Sequence, residues 1–250
     1  MKEMQPEKPR KKKRRRKKHF FLNLILVILL SAGVIGFLNT SFFDIQQIKV
    51  SGNSYYTSEQ VLDLAKAKTG GNLFRTKLSS WKDRLLQDPY IKTVKISRRL
   101  PDTVKIAVKE RAEYAAIPYS GSYVIIDRDA LVLRQSEVAP AVPILIGFTL
   151  SNIEPGTALK VEENGMLTKT MKLLKYTEKN EVYFKKIEVS PVTVRAYIYD
   201  SLVCEGTPAN MMENMDGLRE VIYDLYTKGI ERGTITIGAD DYFSFSPDIE

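Results

Sequence analysis

The sequence is poor in the residues that catalytic sites and disulfide frameworks require. Among 250 residues it has one histidine, His19, and one cysteine, Cys204. A single cysteine excludes an intramolecular disulfide, so packing must hold the fold together, and the run LVCEG predicts Cys204 to be buried. His19 lies in an N-terminal basic run, which leaves the rest of the chain without imidazole for acid–base catalysis near neutral pH. No GxSxG, HExxH or CxxC motif occurs, and we predict no catalytic residue, no metal and no cofactor.

An excess of positive charge is also missing from most of the chain. The net charge is +8, but 11 of the 38 basic residues and only two of the 30 acidic residues fall within the first 19 positions. A basic run also fits a nuclear-localisation or nucleic-acid patch, yet the remaining 27 basic and 28 acidic residues nearly cancel. Beside a membrane such a run is attracted to anionic lipid. We predict lipid contact without nucleic-acid binding, through Lys11, Lys12, Lys13, Arg14, Arg15, Arg16, Lys17 and Lys18.

A long uncharged run follows the basic tail. Residues 20–38 contain no charge and would span roughly 28 Å as a helix, close to the ~30 Å hydrocarbon core of a bilayer. A cleaved signal peptide is the alternative, since Ser31 and Gly33 are small, but its apolar region is usually shorter, about 7–15 residues. We predict a disordered cytoplasmic tail at 1–19, a single-pass type II anchor at 20–38 and an extracytoplasmic remainder.

Residues 43–112 show the pattern of a small α+β unit. A strand is predicted from Phe43 to Val50, and Thr57 with Gln60 forms a capping box that begins a helix ending at Gly70. A second short helix carries Leu78, Trp81 and Leu85 on one face. Two alternating strands around Leu100-Pro101-Asp102 complete the order βααββ, and their outward Lys95, Arg99, Lys105 and Lys109 are either a basic patch or an ordinary charged face.

These residues resemble the POTRA domain of the FtsQ/DivIB bacterial cell-division proteins. The similarity lies in the runs IKVSGNSYYTSEQVL, GGNLF and DPYIKTVKISRRLPDTVKIAVKERAEYAAI. The positions that match the family pattern individually are Val50, Gly52, Gly71, Asn72, Leu73, Pro89, Ile91, Val94, Arg98, Leu100, Pro101, Val108, Glu110 and Arg111. An anchor directly upstream is also a family feature.

Residues 113–247 predict a second domain, with a mixed, mainly antiparallel sheet and packed helices. A hairpin is expected around Arg128-Asp129-Ala130, where the resembling family commonly has glycine at the position of Ala130. One helix is predicted at 162–176. Another is predicted from an Asn210 cap to Gly229, with Met215, Leu218, Ile222 and Leu225 as its core stripe. The arrangement is similar to the β domain of the same family.

The C-terminal run supplies the candidate binding site. A terminal strand is often a sheet edge that accepts a partner's strand, and aromatic residues there can anchor the contact. The alternative is that the same side chains only complete the core. The predicted partner-binding residues are Thr234, Ile235, Thr236, Ile237, Tyr242, Phe243 and Phe245.

The resemblance implies a non-enzymatic scaffold of the division septum. Such proteins hold the bitopic partners FtsB (DivIC) and FtsL, and through them influence the septal peptidoglycan synthases. Two alternatives remain open at this point. One is a POTRA-type chaperone or transport module, which would normally carry further POTRA repeats or a barrel, and the other is a membrane-anchored wall enzyme.

Overall fold

The chain begins with a long apolar helix. The computed structural model describes residues 15–240 and 242–248, and its first element is α1 (Arg15–Leu38). The segment from His19 to Leu38 has a mean hydropathy of 2.6 and the length and composition of a membrane span. The disorder predicted for the tail at 1–19 is wrong for residues 15–19, which are helical, and residues 1–14 lie outside the described residues. Lysine and arginine are good helix formers, so the helical backbone can begin before the apolar run.

The first sheet has three strands in the order β1-β3-β2. Its elements are β1 (Gln47–Ser51), α2 (Ser58–Ala65), α3 (Leu78–Leu85), β2 (Ile91–Arg99) and β3 (Thr103–Glu110). β1 pairs with β3 in parallel, and β2 pairs with β3 antiparallel. The predicted βααββ order is confirmed. α2 and α3 cover one face, where Trp81, Leu85 and Ile106 belong to one buried core.

Local signals account for most boundaries in this part. The predicted capping box is present: Gln60 N donates to Thr57 Oγ1 and Thr57 N donates to Gln60 Oε1. α2 nevertheless ends at Ala65, not Gly70, because Lys66 takes a left-handed conformation with φ of +50°. The strand expected at 43–50 is also shorter: Ser41–Phe43 form a 3-10 turn, and Ile45 instead pairs with Gly70 and Gly71.

The second sheet contains nine strands in the order β14-β13-β12-β11-β10-β7-β4-β5-β6. They are β4 (Ala115–Tyr119), β5 (Ser122–Ile126), β6 (Val132–Ser136), β7 (Ile144–Ile146), β10 (Lys186–Val189), β11 (Val194–Tyr197), β12 (Ser201–Gly206), β13 (Arg232–Ile237) and β14 (Phe243–Ser246). β8 (Leu150–Asn152) and β9 (Lys160–Val161) pair separately. Five of the eight neighbour pairs are antiparallel, so the predicted mixed, mainly antiparallel sheet is confirmed.

Three helices cover one face of the second sheet. They are α4 (Asn164–Lys179), α5 (Pro208–Glu213) and α6 (Met215–Thr227). The single long helix predicted from Asn210 is wrong. Thr207, not Asn210, caps α5, and the helix is interrupted at Asn214, whose side-chain amide donates to the Gly238 carbonyl at 3.0 Å.

Two details of the second core match the sequence. Cys204 is fully buried among apolar side chains, as predicted, and desolvation raises the pKa of its thiol to about 12. The β5–β6 hairpin forms as predicted, and Ala130 has φ of +58°. The backbone therefore keeps the left-handed turn that glycine would adopt more readily, at a cost of order 1 kcal/mol.

Polar side chains join the two sheets. Tyr90, just before β2, donates its hydroxyl to Glu113 at 2.7 Å. Arg134 of β6 donates to the same carboxylate at 2.8 Å and to the Tyr90 hydroxyl at 3.0 Å. Nearby, Arg111 pairs with the buried carboxylate of Asp127 at 2.5 Å. We call these five residues the joint.

Candidate partner-binding surface

The last strand, β14, is one edge of the second sheet. It pairs with β13 on one side, and within the described ranges 15–240 and 242–248 no strand pairs with its other side. An open strand edge presents unpaired N–H and C=O groups, and it is therefore a ready template for another chain. The predicted edge exists, but it consists of β14 alone.

The register identifies which backbone groups face outward. The Gly238 N–H donates to the Tyr242 carbonyl at 2.9 Å, and the ladder then pairs Thr236 with Ser244. Hydrogen-bonded and non-hydrogen-bonded pairs alternate along antiparallel strands. Ser244 therefore bonds inward to β13, and the N–H and C=O groups of Phe243 and Phe245 point away from the sheet. These two residues form the open edge.

The two phenylalanine rings themselves turn toward the core. A Cβ placed on Gly217 of α6 would lie 2.8 Å from the Phe243 ring, and one on Gly233 would lie 2.7 Å from the Phe245 ring. Both rings are half-buried and pack against the main core. Tyr242 differs, since its side chain is 59% exposed. Of the three predicted aromatic anchors, Tyr242 alone presents most of its surface to a partner.

The prediction that Thr234, Ile235, Thr236 and Ile237 contribute an open edge is wrong. These residues belong to β13, which lies between β12 and β14 and is paired on both sides. Ile235 and Ile237 are buried in the core. The sequence showed two terminal strands but not their lateral order, and the parallel β12–β13 pairing places β13 inside the sheet.

The opposite edge of the sheet, β6, is covered in its first half. Val132 donates its N–H to the Thr157 carbonyl at 2.9 Å and accepts from the Gly156 N–H at 2.8 Å. Leu159 adds an N–H bond to the Ala130 carbonyl at 2.9 Å. A loop therefore occupies the groups that a partner strand would need. We call residues 156–159 the cover loop.

The sheet face away from the helices carries charged and polar side chains on β10, β11 and β12, two to four strands from β14. Glu188 accepts hydrogen bonds from Lys186 and Tyr197, both at 2.8 Å, while Arg195 lies 3.6 Å from Glu205 on the next strand. The hydrogen bond from Lys186 is the main reason that the pKa of Glu188 is lowered, and desolvation opposes it. The side chains of Ser244 and Ser246 lie on this same face.

Two features of the sheet edges, one at β14 and one at β6, were not predicted, although the sequence contains a signal for the first. Gly233 lies inside a strand pattern, and an isolated glycine there often marks a close approach of another group. Its φ is +131°, and an added Cβ would also meet the Ser246 carbonyl oxygen at 2.6 Å. The cover loop has no comparable signal, because its contacts are between backbone groups.

Two other surfaces were predicted, the basic face of the first sheet and the lipid-contacting basic run, and the structure describes the second only in part. Lys95, Arg99, Lys105 and Lys109 lie on the exposed face of the first sheet, together with Lys49 opposite Lys105. Of the predicted lipid-contacting residues, Lys11, Lys12, Lys13 and Arg14 lie outside the described residues. The backbone of Arg15, Arg16, Lys17 and Lys18 belongs to α1.

Comparisons with known proteins agree with this architecture. Residues 43–111 match the family described as "POTRA domain, FtsQ-type". The chain is 30% identical over 188 residues to the cell division protein DivIB of Clostridium acetobutylicum, covering 74% of this chain and 76% of that protein. It is 28% identical over 121 residues to the cell division protein FtsQ of Neisseria meningitidis, covering 48% and 50%.

A solved structure is also similar in part. It is the major extracytoplasmic domain of DivIB from Geobacillus stearothermophilus, with 13% identity and a TM-score of 0.32 over 48% of this chain and 97% of that one. The identity and coverage of the Clostridium acetobutylicum relative are sufficient to assign the chain to a protein family. The chain belongs to the FtsQ/DivIB family of bacterial cell division proteins.

Proposed function

We propose that this chain is a non-enzymatic scaffold of the divisome. Its N-terminus lies in the cytoplasm, α1 anchors it in the membrane, and the parts at 43–112 and 113–247 act as separate domains outside. The basic residues ahead of α1 support this orientation, because lysine and arginine are retained on the cytoplasmic side. The division role of the family supports localisation at the septum.

The open β14 edge is the observation that carries the binding proposal. An extended segment of a bitopic division protein of the FtsB (DivIC) type adds to β14 as a further strand. Its backbone bonds to the outward groups of Phe243 and Phe245. An FtsL-type protein joins the same complex, and through it the scaffold influences septal peptidoglycan synthases.

The two faces beside β14 define the segment that fits. Residues of an added strand point alternately to the two faces of the sheet. On one face they meet the half-buried rings of Phe243 and Phe245, and on the other they lie beside Ser244 and Ser246. We expect the partner segment to alternate apolar and polar side chains in this register.

A matched pair of variants isolates the backbone donor. Phe245→Ala and Phe245→Pro both remove the ring, but only the proline variant also removes the outward N–H. Proline is tolerated on an edge strand where its N–H would face solvent. The full chain is expressed in spheroplasts of a host lacking it, and binding of the labelled soluble part of an FtsB-type partner is measured.

Intact spheroplasts with the wild-type chain should bind the partner. The alanine variant should retain binding, and the proline variant should lose about tenfold or more in affinity, equivalent to ~1.4 kcal/mol. Equal affinities of the two variants would rule out strand addition at this edge. Binding that appears only after the spheroplasts are permeabilised would instead reverse the proposed orientation.

A further inference from the structure

The C-terminal end of α1 is fixed to the first sheet unit by one asparagine. The side-chain amide of Asn72 donates to the Leu38 carbonyl at 3.0 Å and to the Thr40 carbonyl at 3.3 Å. Its oxygen accepts the N–H groups of Phe74 and Arg75 at 3.0 and 3.3 Å. The last carbonyls of a helix have no partner within the helix. Here Asn72 of the loop at 72–75 supplies a donor to the Leu38 carbonyl, and this hydrogen bond joins the end of α1 to the loop.

Aromatic rings extend this connection outward from the helix. The rings of Phe37 and Phe43 are 5.2 Å apart, and those of Phe43 and Phe74 are also 5.2 Å apart. Phe43 is buried between them, and Phe42 packs against it at 5.0 Å. Phe42 and Phe74 remain 60% and 39% exposed. One buried ring therefore separates Phe74 from the last turn of α1.

A third exposed apolar residue lies at the same end of the first sheet. β1 and β3 are parallel, so both begin at this end, and Gln46 N donates to the Asp102 carbonyl at 2.9 Å. The preceding turn carries Leu100, which is 66% exposed. The exposed cations Arg75 and Arg99 are the sequence neighbours of Phe74 and Leu100.

The depth of these residues follows from the anchor. The 20 residues from His19 to Leu38 reach about 30 Å as a helix, which places Leu38 at the edge of the hydrocarbon core. The headgroup layer adds roughly 5–8 Å on each side. Phe74 is at most two ring spacings of 5.2 Å from Phe37, so it lies close to the surface of the same leaflet.

We propose that the collar formed by Phe42, Phe74, Leu100, Arg75 and Arg99 docks on the outer surface of the lipid bilayer. The three apolar side chains enter the headgroup layer, and the two guanidinium groups pair with anionic headgroups. The first sheet unit then contacts the membrane surface and does not move freely relative to α1. This inference rests on α1 spanning the membrane.

Fluorophore labelling of single introduced cysteines tests the docking. The full chain is placed in nanodiscs of equal parts phosphatidylcholine and phosphatidylglycerol, with an environment-sensitive fluorophore at Phe74→Cys or Leu100→Cys. Cys204 is fully buried with a raised pKa, so it stays unlabelled. Headgroup-attached quenchers should reduce the fluorescence of both labels. Without quencher, both labels should emit at shorter wavelength in nanodiscs than in detergent.

Two control positions separate the possible failures. A label at Val34→Cys within α1 should be quenched by acyl-chain quenchers, and one at Tyr223→Cys, an exposed position of α6, should not be quenched. If Val34 responds while Phe74 and Leu100 behave like Tyr223, the docking proposal is wrong and the anchor stands. If Val34 also fails to respond, the anchor itself is wrong. If the emission of the labels at Phe74→Cys or Leu100→Cys in detergent moves to shorter wavelength as the protein concentration rises, a second copy of the chain covers the collar. That result would overturn lipid docking.

Discussion

The two edges of the nine-stranded sheet end in different ways. At β6, the cover loop bonds to Val132 and the buried Asp127 carboxylate accepts the N–H groups of Asp129 and Leu131 at 2.8 and 2.9 Å. At β14, the backbone of Phe243 and Phe245 points outward, and the strand is held by ring packing on glycines. The first half of the β6 edge has its outward backbone groups bonded within the chain, whereas no strand among the described residues pairs with the outward groups of Phe243 and Phe245.

This difference supports separate proposed roles for the two edges. An exposed edge is an aggregation hazard unless it is short, covered or used. β14 has only four residues, and Pro247 follows it, which limits how far another chain can extend the ladder. The β6 edge instead joins the first sheet through Arg134 and the joint. We infer that β6 serves internal architecture and β14 serves the partner.

The largest effect is expected at the β6 end, from Asp127→Ala. The variant leaves the Arg111 guanidinium without its main partner and removes the acceptor of the Asp129 and Leu131 N–H groups. Breaking a buried ion pair in this way costs roughly 3–5 kcal/mol. The melting temperature of the full chain in detergent, followed by far-ultraviolet circular dichroism, should fall accordingly.

The neighbouring Asp129 provides the control for that variant. Its side chain is 53% exposed and pairs with Lys92 at 2.6 Å. Asp129→Ala should cost under about 1 kcal/mol, as exposed ion pairs do. Equal losses of stability for the two variants would contradict the view that buried polar groups close the β6 end.

Local signals in the sequence were sufficient for the first sheet. The capping box at Thr57, the face shared by Trp81 and Leu85, and the alternation of the β2–β3 hairpin each depend on residues a few positions apart. Short-range chemistry determines these features, so they are readable without the fold. The mistaken end of α2 shows the limit, because Lys66 adopts a positive φ that no sequence rule favours.

The second sheet depends on contacts that short-range patterns do not encode. β4 (Ala115–Tyr119) was missed because AAIPY lacks alternation, and its partners β5 and β7 bury it from both sides. Both terminal strands were predicted, but the sequence does not reveal which of them forms the sheet edge. Which of two terminal strands is outermost depends on a parallel pairing with β12 that lies some thirty residues away in sequence.

A smaller effect is expected at the β14 end, from Gly233→Ala. The added Cβ would meet the Ser246 carbonyl oxygen and the Phe245 ring, at a φ of +131° that other residues rarely adopt. Strain of this kind costs of order 1–3 kcal/mol. Hydrogen exchange should show loss of protection in β14 while β6 keeps its protection. Gly165→Ala in α4 is the matched control, since its Cβ meets nothing within 4 Å. Equal loss of protection at both edges in Gly233→Ala would remove the distinction between them.

The smallest effect is a pH dependence at the joint. Desolvation raises the pKa of Glu113, but the hydrogen bonds from Arg134 and Tyr90 outweigh it, and the net pKa is lowered. Folding therefore favours the carboxylate, so this contribution to stability is complete above the unfolded pKa of about 4.3 and disappears as the pH falls through the lower folded value. The unfolding free energy of the wild type should exceed that of Glu113→Gln by up to about 1 kcal/mol near pH 6, and the difference should shrink near pH 3. The other titratable groups are present in both the wild type and Glu113→Gln, so their contributions to the unfolding free energy cancel in the difference. A gap that stays constant with pH would mean that the joint holds the β6 end by shape and neutral hydrogen bonds, with no ionic contribution from Glu113.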